Sequence, residues 1–185
     1  MDDVFSYAAG EAPWPTGGED ISFIHLPPHL VENIAKDCVF LDADKNFTKP
    51  QPDDYSSPIQ VHSVFGLVEH FTGATTRQDG RATTLLKGVL TSGVLREFGA
   101  LTATLECFKE NLPDLPASFG GTSGGGFWRV YARKEESEVF VAVHHRLMGL
   151  ASREDLTTSP PRIICQGMGR VEALLEGVRR GMAYP

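Results

Sequence analysis

Gly120-Gly121-Thr122-Ser123-Gly124-Gly125-Gly126, followed at once by Phe127-Trp128-Arg129-Val130-Tyr131, is the stretch on which a reading of this chain turns. The second half alternates bulky and polar residues and is rich in aromatic and β-branched side chains, which predicts a strand. The stretch before it, Asn111-Leu112-Pro113-Asp114-Leu115-Pro116, carries two prolines and is excluded as a central strand. A glycine-rich loop therefore feeds a strand, with one serine held between small residues.

Working outward, β-branched runs separated by turn residues recur from Ile59 onwards. That is the mark of an all-β barrel or sandwich. Candidate strands cover 59–66, 83–90, 94–98, 101–108, 127–133, 138–144 and 162–165. Gln78-Asp79-Gly80 and Glu135-Glu136-Ser137 supply turns. Residues 168–180 predict a helix, because Val171, Leu174, Leu175 and Val178 stand at i, i+3, i+4 and i+7 on one stripe. Burying those four side chains stabilises by about 6–12 kcal/mol before entropy is deducted, so the stripe is read as a docking face on the β-structure.

On the N-terminal side, residues 1–18 carry Gly10, Pro13, Pro15, Gly17 and Gly18 and read as a flexible lead-in. A strand is expected over 21–26, a short helix over 28–36 and a further strand over 39–42. A polar loop with Pro50, Pro52 and Pro58 follows.

Composition excludes several partners. The 185 residues carry a formal net charge of −7, which argues against a nucleic-acid partner because a polyanion needs a basic patch. No span has the length of a membrane helix, and Met1-Asp2-Asp3-Val4 lacks the positive start of a signal peptide. Cys38, Cys107 and Cys165 are odd in number and widely spaced, which suits a reduced, cytoplasmic interior. No pair of candidate ligands has metal-binding spacing, and no metal or other cofactor is expected.

The serine loop is where chemistry is expected. A hydroxyl between glycines is exposed, and neighbouring backbone N–H groups can point at a developing oxyanion. Gly121-x-Ser123-x-Gly125 satisfies the nucleophile-elbow spacing, but that elbow needs a strand before it and a helix after it. A phosphate-cradling loop is equally poor, since neither a lysine nor a helix follows. Gly121-Thr122-Ser123-Gly124-Gly125 instead resembles the glycine-x-serine-glycine-glycine signature of trypsin-like, chymotrypsin-fold serine proteases. A second segment supports the resemblance. Glu19-Asp20-Ile21-Ser22-Phe23-Ile24-His25-Leu26-Pro27 is similar to the family's aspartate-led strand, and Asp20 precedes Ser123 by about a hundred residues. Arg162-Ile163-Ile164-Cys165-Gln166 before the final helix resembles the end of the same fold.

The resemblance implies the second barrel of a chymotrypsin-like double β-barrel plus the end of the first, with a C-terminal α-helix. Residues 19–58 would be the remnant of the first barrel and the connection, and 59–185 the second barrel. It further implies Ser123 as nucleophile, Asp20 as the carboxylate that orients an imidazole, and the N–H groups of Gly121 and Ser123 as the oxyanion hole. The strand over 138–144 would pass the serine and offer Val141, Val143 and His144 to a peptide or protein substrate. The approach to the serine would form a wall of the specificity pocket, and Pro116-Ala117-Ser118-Phe119 supplies no charge there, so a basic-residue preference is not expected. Thr122 stands where animal members use an aspartate to bury a freed N-terminus, which implies a pre-formed loop.

One departure governs the expected activity. The family's general-base histidine precedes the aspartate, whereas all six histidines here, His25, His29, His62, His70, His144 and His145, follow Asp20. His25 stands an odd number of residues from Asp20 on one strand and so faces the other way; His62 and His70 are expected at exposed positions. The chain alone is therefore expected to be an inactive or incomplete serine peptidase, its histidine coming from an upstream segment or a second chain. Two other readings stay open: a non-catalytic, protease-like peptide-binding or scaffold module, and an unrelated all-β domain whose glycine loop is structural.

Overall fold

The computed structural model describes residues 6–7, 23–24, 26–36, 59–71, 73–78, 81–83, 87–107, 118–136 and 138–180. Two short strands, β1 (Ser6–Tyr7) and β2 (Phe23–Ile24), pair antiparallel. Helix α1 (Pro28–Ile34) begins with proline in its first turn, where the missing N–H leaves no bond unmade. Then come β3 (Ile59–Leu67), a 3-10 turn at Glu69–Phe71, and a hairpin of β4 (Thr76–Gln78) with β5 (Arg81–Thr83). The remaining elements are β6 (Gly88–Phe98), β7 (Thr102–Cys107), β8 (Gly126–Lys134), β9 (Phe140–Asp155), β10 (Arg162–Gly167) and α2 (Met168–Arg179).

Six of these strands close a barrel in the order β10-β7-β6-β3-β8-β9, every neighbouring pair antiparallel. The architecture is thus mostly antiparallel β with a C-terminal helix, as the alternation predicted. β3, β6 and β7 run as one meander and β8, β9 and β10 as another. The two meet along β3–β8 and β7–β10.

Alternation explains which residues fill the interior. On β7, Ala103, Leu105 and Cys107 are fully buried while Thr102, Thr104 and Glu106 face outward. Val64, Phe127, Met148, Ala151, Ile163 and Cys165 complete the core, capped at one end by Phe119. Each large side chain buried there stabilises by about 1.5–3 kcal/mol. Helix α2 lies against β9 and β10, with Val171 buried, and begins where the Gly169 N–H donates to Ala100 O at 2.9 Å.

Two strand expectations change. Thr83 ends β5 and 84–86 lie outside the described residues, while 88–90 and 94–98 join in the single strand β6, because Thr91, Ser92 and Gly93 pair through it. Gly93 permits the closeness: a Cβ there would lie 2.1 Å from Glu106 O. The strand expected over 138–144 runs on to Asp155, past three shifts of register that bend it around the barrel. The strand expected over 39–42 lies outside the described residues.

Candidate functional site

The serine loop closes one end of the barrel, between β7 and β8. Phe119 is its anchor, 1 % exposed among the core side chains. Thr122 is also buried; its N–H and its hydroxyl both donate to Phe119 O, at 3.1 and 2.8 Å. The Gly125 N–H donates back to Thr122 O at 2.8 Å, which closes the turn around Ser123. Gly121 and Gly124 have φ of +90° and +82°, a region that favours glycine. Gly125 serves a different need, since a Cβ there would meet Phe65 O at 2.3 Å.

Three neighbours hold this loop from outside. The Glu69 N–H donates to Gly120 O at 2.9 Å, tying the loop to the turn after β3. The Gly124 N–H donates to Ala151 O at 2.8 Å, and the Ala151 N–H donates to Gly125 O at 2.7 Å, so the loop adds to the side of β9. Glu154, three residues further along β9, accepts from Ser118 Oγ at 2.7 Å and from the Phe119 N–H at 2.9 Å, both through Oε2. Its other oxygen is buried without a hydrogen-bond partner.

The result is an exposed Ser123 beside two backbone donors. Among the described residues, neither the Gly121 N–H nor the Ser123 N–H donates to any acceptor, while the other bonds of the loop are made. Donors left open beside a hydroxyl on a fixed turn can receive an oxyanion without reorganising. Ser123 and Gly121 stand two residues apart on this one turn.

Asp20 and His25 lie outside the described residues. Among the described residues no histidine hydrogen-bonds to Ser123. His62 is half-buried rather than exposed, and its Nε2 accepts from Arg129 Nε at 3.1 Å. Burial, and then the Arg129 charge, hold its pKa below the ordinary imidazole value. His144 sits 5.9 Å from the Tyr131 ring, its pKa lowered by burial and then by His145 and Arg146; His145 meets the edge of Trp128 at 5.6 Å.

Val141, Val143 and His144 are not brought beside Ser123. It is the Ala151 half of β9 that touches the serine loop, and His144, opposite Tyr131, is about 23 Å further along an extended strand. The β9 residues that do meet the loop, Ala151 and Glu154, had no local signal. Glu154 also places a carboxylate against Ser118 and Phe119, where the loop's own residues supplied none.

Among the described residues no cluster of three His, Cys, Asp or Glu side chains is placed to hold a metal ion, and no helix is long and apolar enough to cross a membrane. Comparison with protein-family models, with curated proteins and with solved structures found no match to this chain.

Proposed function

We propose that this chain carries the nucleophile and oxyanion hole of a trypsin-like serine peptidase on a chymotrypsin-type barrel. The observation that carries the reading is the pair of unengaged N–H groups, of Gly121 and Ser123, on the turn that exposes Ser123. Support also comes from the closed six-stranded barrel, from the serine loop that feeds β8, and from the terminal strand followed by a helix. Thr122, buried and bonded within its own turn, fits a loop that needs no N-terminal insertion to form.

In this mechanism Ser123 Oγ attacks the scissile carbonyl carbon while an imidazole takes its proton. The two N–H groups stabilise the oxyanion, and the amine leaves with that proton to give an acyl-enzyme that water then hydrolyses. Asp20 is the orienting carboxylate in this reading. The imidazole comes from outside the described residues or from a second chain, since among the described residues no histidine hydrogen-bonds to Ser123. Loss of such a base lowers turnover on the order of a millionfold. A fluorophosphonate probe applied to the protein in the cell that makes it tests the reading. A covalent adduct on Ser123, absent in Ser123→Ala, is expected; no adduct overturns the nucleophile assignment.

One observation favours the second reading, a non-catalytic peptide-binding module. Pairing of β9 with β10 begins at Gly149, while pairing with β8 continues to Phe140. One side of the 140–148 segment is therefore an unpaired edge among the described residues, and Val139, Phe140, Val141 and Val143 are exposed along it. An extended peptide adds to such an edge through main-chain hydrogen bonds. Under this reading Ser123→Ala leaves the biological activity intact and peptide slows amide exchange over 140–148.

A further inference from the structure

Three adjacent strands bring basic side chains to the inner face of the barrel, toward the end away from Ser123. β3 and β8 keep regular register, so His62 stands opposite Arg129, two residues along from the buried pair Val64 and Phe127 and on their face. Arg129 in turn stands opposite Arg146 on β9. All three are half-buried. The Arg129 guanidinium is fixed from two sides: its Nε donates to His62 Nε2, and its central carbon lies 5.5 Å from the centroid of the Phe98 ring. Arg146 Nε is buried and has no hydrogen-bond partner.

Charge makes this arrangement costly as it stands. Antiparallel partners hold their Cα atoms about 5 Å apart, and like charges directly opposite destabilise a sheet. Among the described residues neither Arg129 nor Arg146 forms an ion pair, whereas Arg96 and Arg162 both reach Glu106 on the outer face. Acids are not scarce in a chain of net charge −7. Among the described residues this half-buried pair of guanidinium groups has no counter-charge, an arrangement that costs stability until an anion meets it.

We propose that Arg129 and Arg146, supported by His62 and Phe98, bind a phosphate group at this end of the barrel. Two guanidinium charges match a group that carries about −1.5 to −2 at neutral pH, and the planar fork suits its oxygens in pairs. The phosphate is either free or the ester of a small molecule; both present the same oxygens. The site is independent of the serine loop.

The test titrates the intact chain with inorganic phosphate, glycerol 3-phosphate and acetate at constant ionic strength, followed by calorimetry. Saturable one-to-one binding of phosphate, at least tenfold tighter than acetate, is expected. Tighter binding of glycerol 3-phosphate assigns an esterified ligand, and tighter binding of inorganic phosphate assigns the free ion. Arg129→Gln and Arg146→Gln each weaken phosphate binding tenfold or more. Arg146→Lys, which keeps the charge but loses the fork, weakens it less. Phosphate indistinguishable from acetate overturns the proposal, and so does unchanged affinity in a variant with a wild-type circular dichroism spectrum. Should the glutamine variants fail to fold, Arg146→Lys decides by the same criterion.

Discussion

At the Ser123 end of the barrel the groups available to a ligand are backbone amides; at the other end they are side-chain charges. The first end is made of small residues whose bonds are almost all satisfied within the loop, so that the two remaining donors are fixed in place. The second is made of two long cationic side chains, of which Arg129 is oriented by a ring and an imidazole, without an ion-paired carboxylate among the described residues. In the proposed readings, one end meets a charge that develops during a reaction and the other a charge already present on a ligand. The difference also says how each end fails. The amide end is sensitive to backbone geometry, and the cationic end to titration and salt.

The largest expected effect does not distinguish them. Phe127 is fully buried between the two ends, next to Arg129 by alternation and one residue beyond the serine loop. Phe127→Ala is expected to lower stability by about 3–5 kcal/mol, and to weaken Ser123 labelling and phosphate binding together. Denaturant unfolding checks the first and the two binding assays the second. If one end survives intact, the ends are separately stabilised and the comparison is stronger than the shared core suggests.

Gly121→Ala is expected to separate them. The φ of +90° at Gly121 disfavours any side chain, and a Cβ would lie 2.8 Å from Glu69 N and 2.9 Å from Leu67 O. The expected cost is about 1–3 kcal/mol, read by thermal unfolding. Labelling at Ser123 should vanish while phosphate affinity stays within twofold. A loss of both would mean that the serine loop and the far end share one cooperative unit.

How legible these ends were in the sequence follows from the distance over which their residues act. The serine loop and β8 could be read locally, because glycines at Gly121 and Gly124 and the alternation after Gly126 carry their meaning within a few positions. The all-β character also followed from alternation on strands such as β7, which left barrel and sandwich both open. β9 did not: extra residues shift its phase against β8 between Phe127 and Trp128 and again between Tyr131 and Ala132, and its pairing with β10 shifts at Ile164. A period of two is lost at each shift, at Val143 within the expected segment and again at Met148 and Ser152 beyond it, so alternation could not follow the strand to Asp155. Glu154 meets Ser118 across 36 positions, and Arg129 meets His62 across 67. No local pattern records such a pairing. Asp20, the other half of the expected site, falls outside the described residues.

Glu154→Gln tests the long-range contact at the amide end. The carboxylate accepts from Ser118 Oγ and the Phe119 N–H through one oxygen. Glutamine keeps an acceptor but loses the charge that strengthens both bonds, an expected cost of about 1 kcal/mol. Faster amide exchange at Phe119 and slower Ser123 labelling are the readouts. Unchanged exchange would show that the loop is held by Glu69 and Ala151 without help from the carboxylate.

The smallest expected effect lies at the cationic end and depends on pH. Burial and then Arg129 lower the pKa of His62 in the folded chain, and His144 shifts the same way through burial, then His145 and Arg146. A group with a lowered folded pKa binds more protons when unfolded, so stability rises with pH across that interval. The contribution is complete above the unfolded imidazole value of about 6.5 and declines below it, until the folded-state pKa is passed. Urea unfolding at pH 7.5 and pH 6, in phosphate-free buffer, should therefore show a loss of stability on acidification. His62→Gln, whose amide oxygen can still accept from Arg129 Nε, should reduce that loss, and Ser123→Ala should leave it unchanged. If His62→Gln keeps the full pH dependence, the imidazole is not held neutral by its surroundings. The Arg129 guanidinium would then lack the acceptor that aims it, and the contrast between a fixed amide end and an oriented cationic end would rest on Phe98 alone.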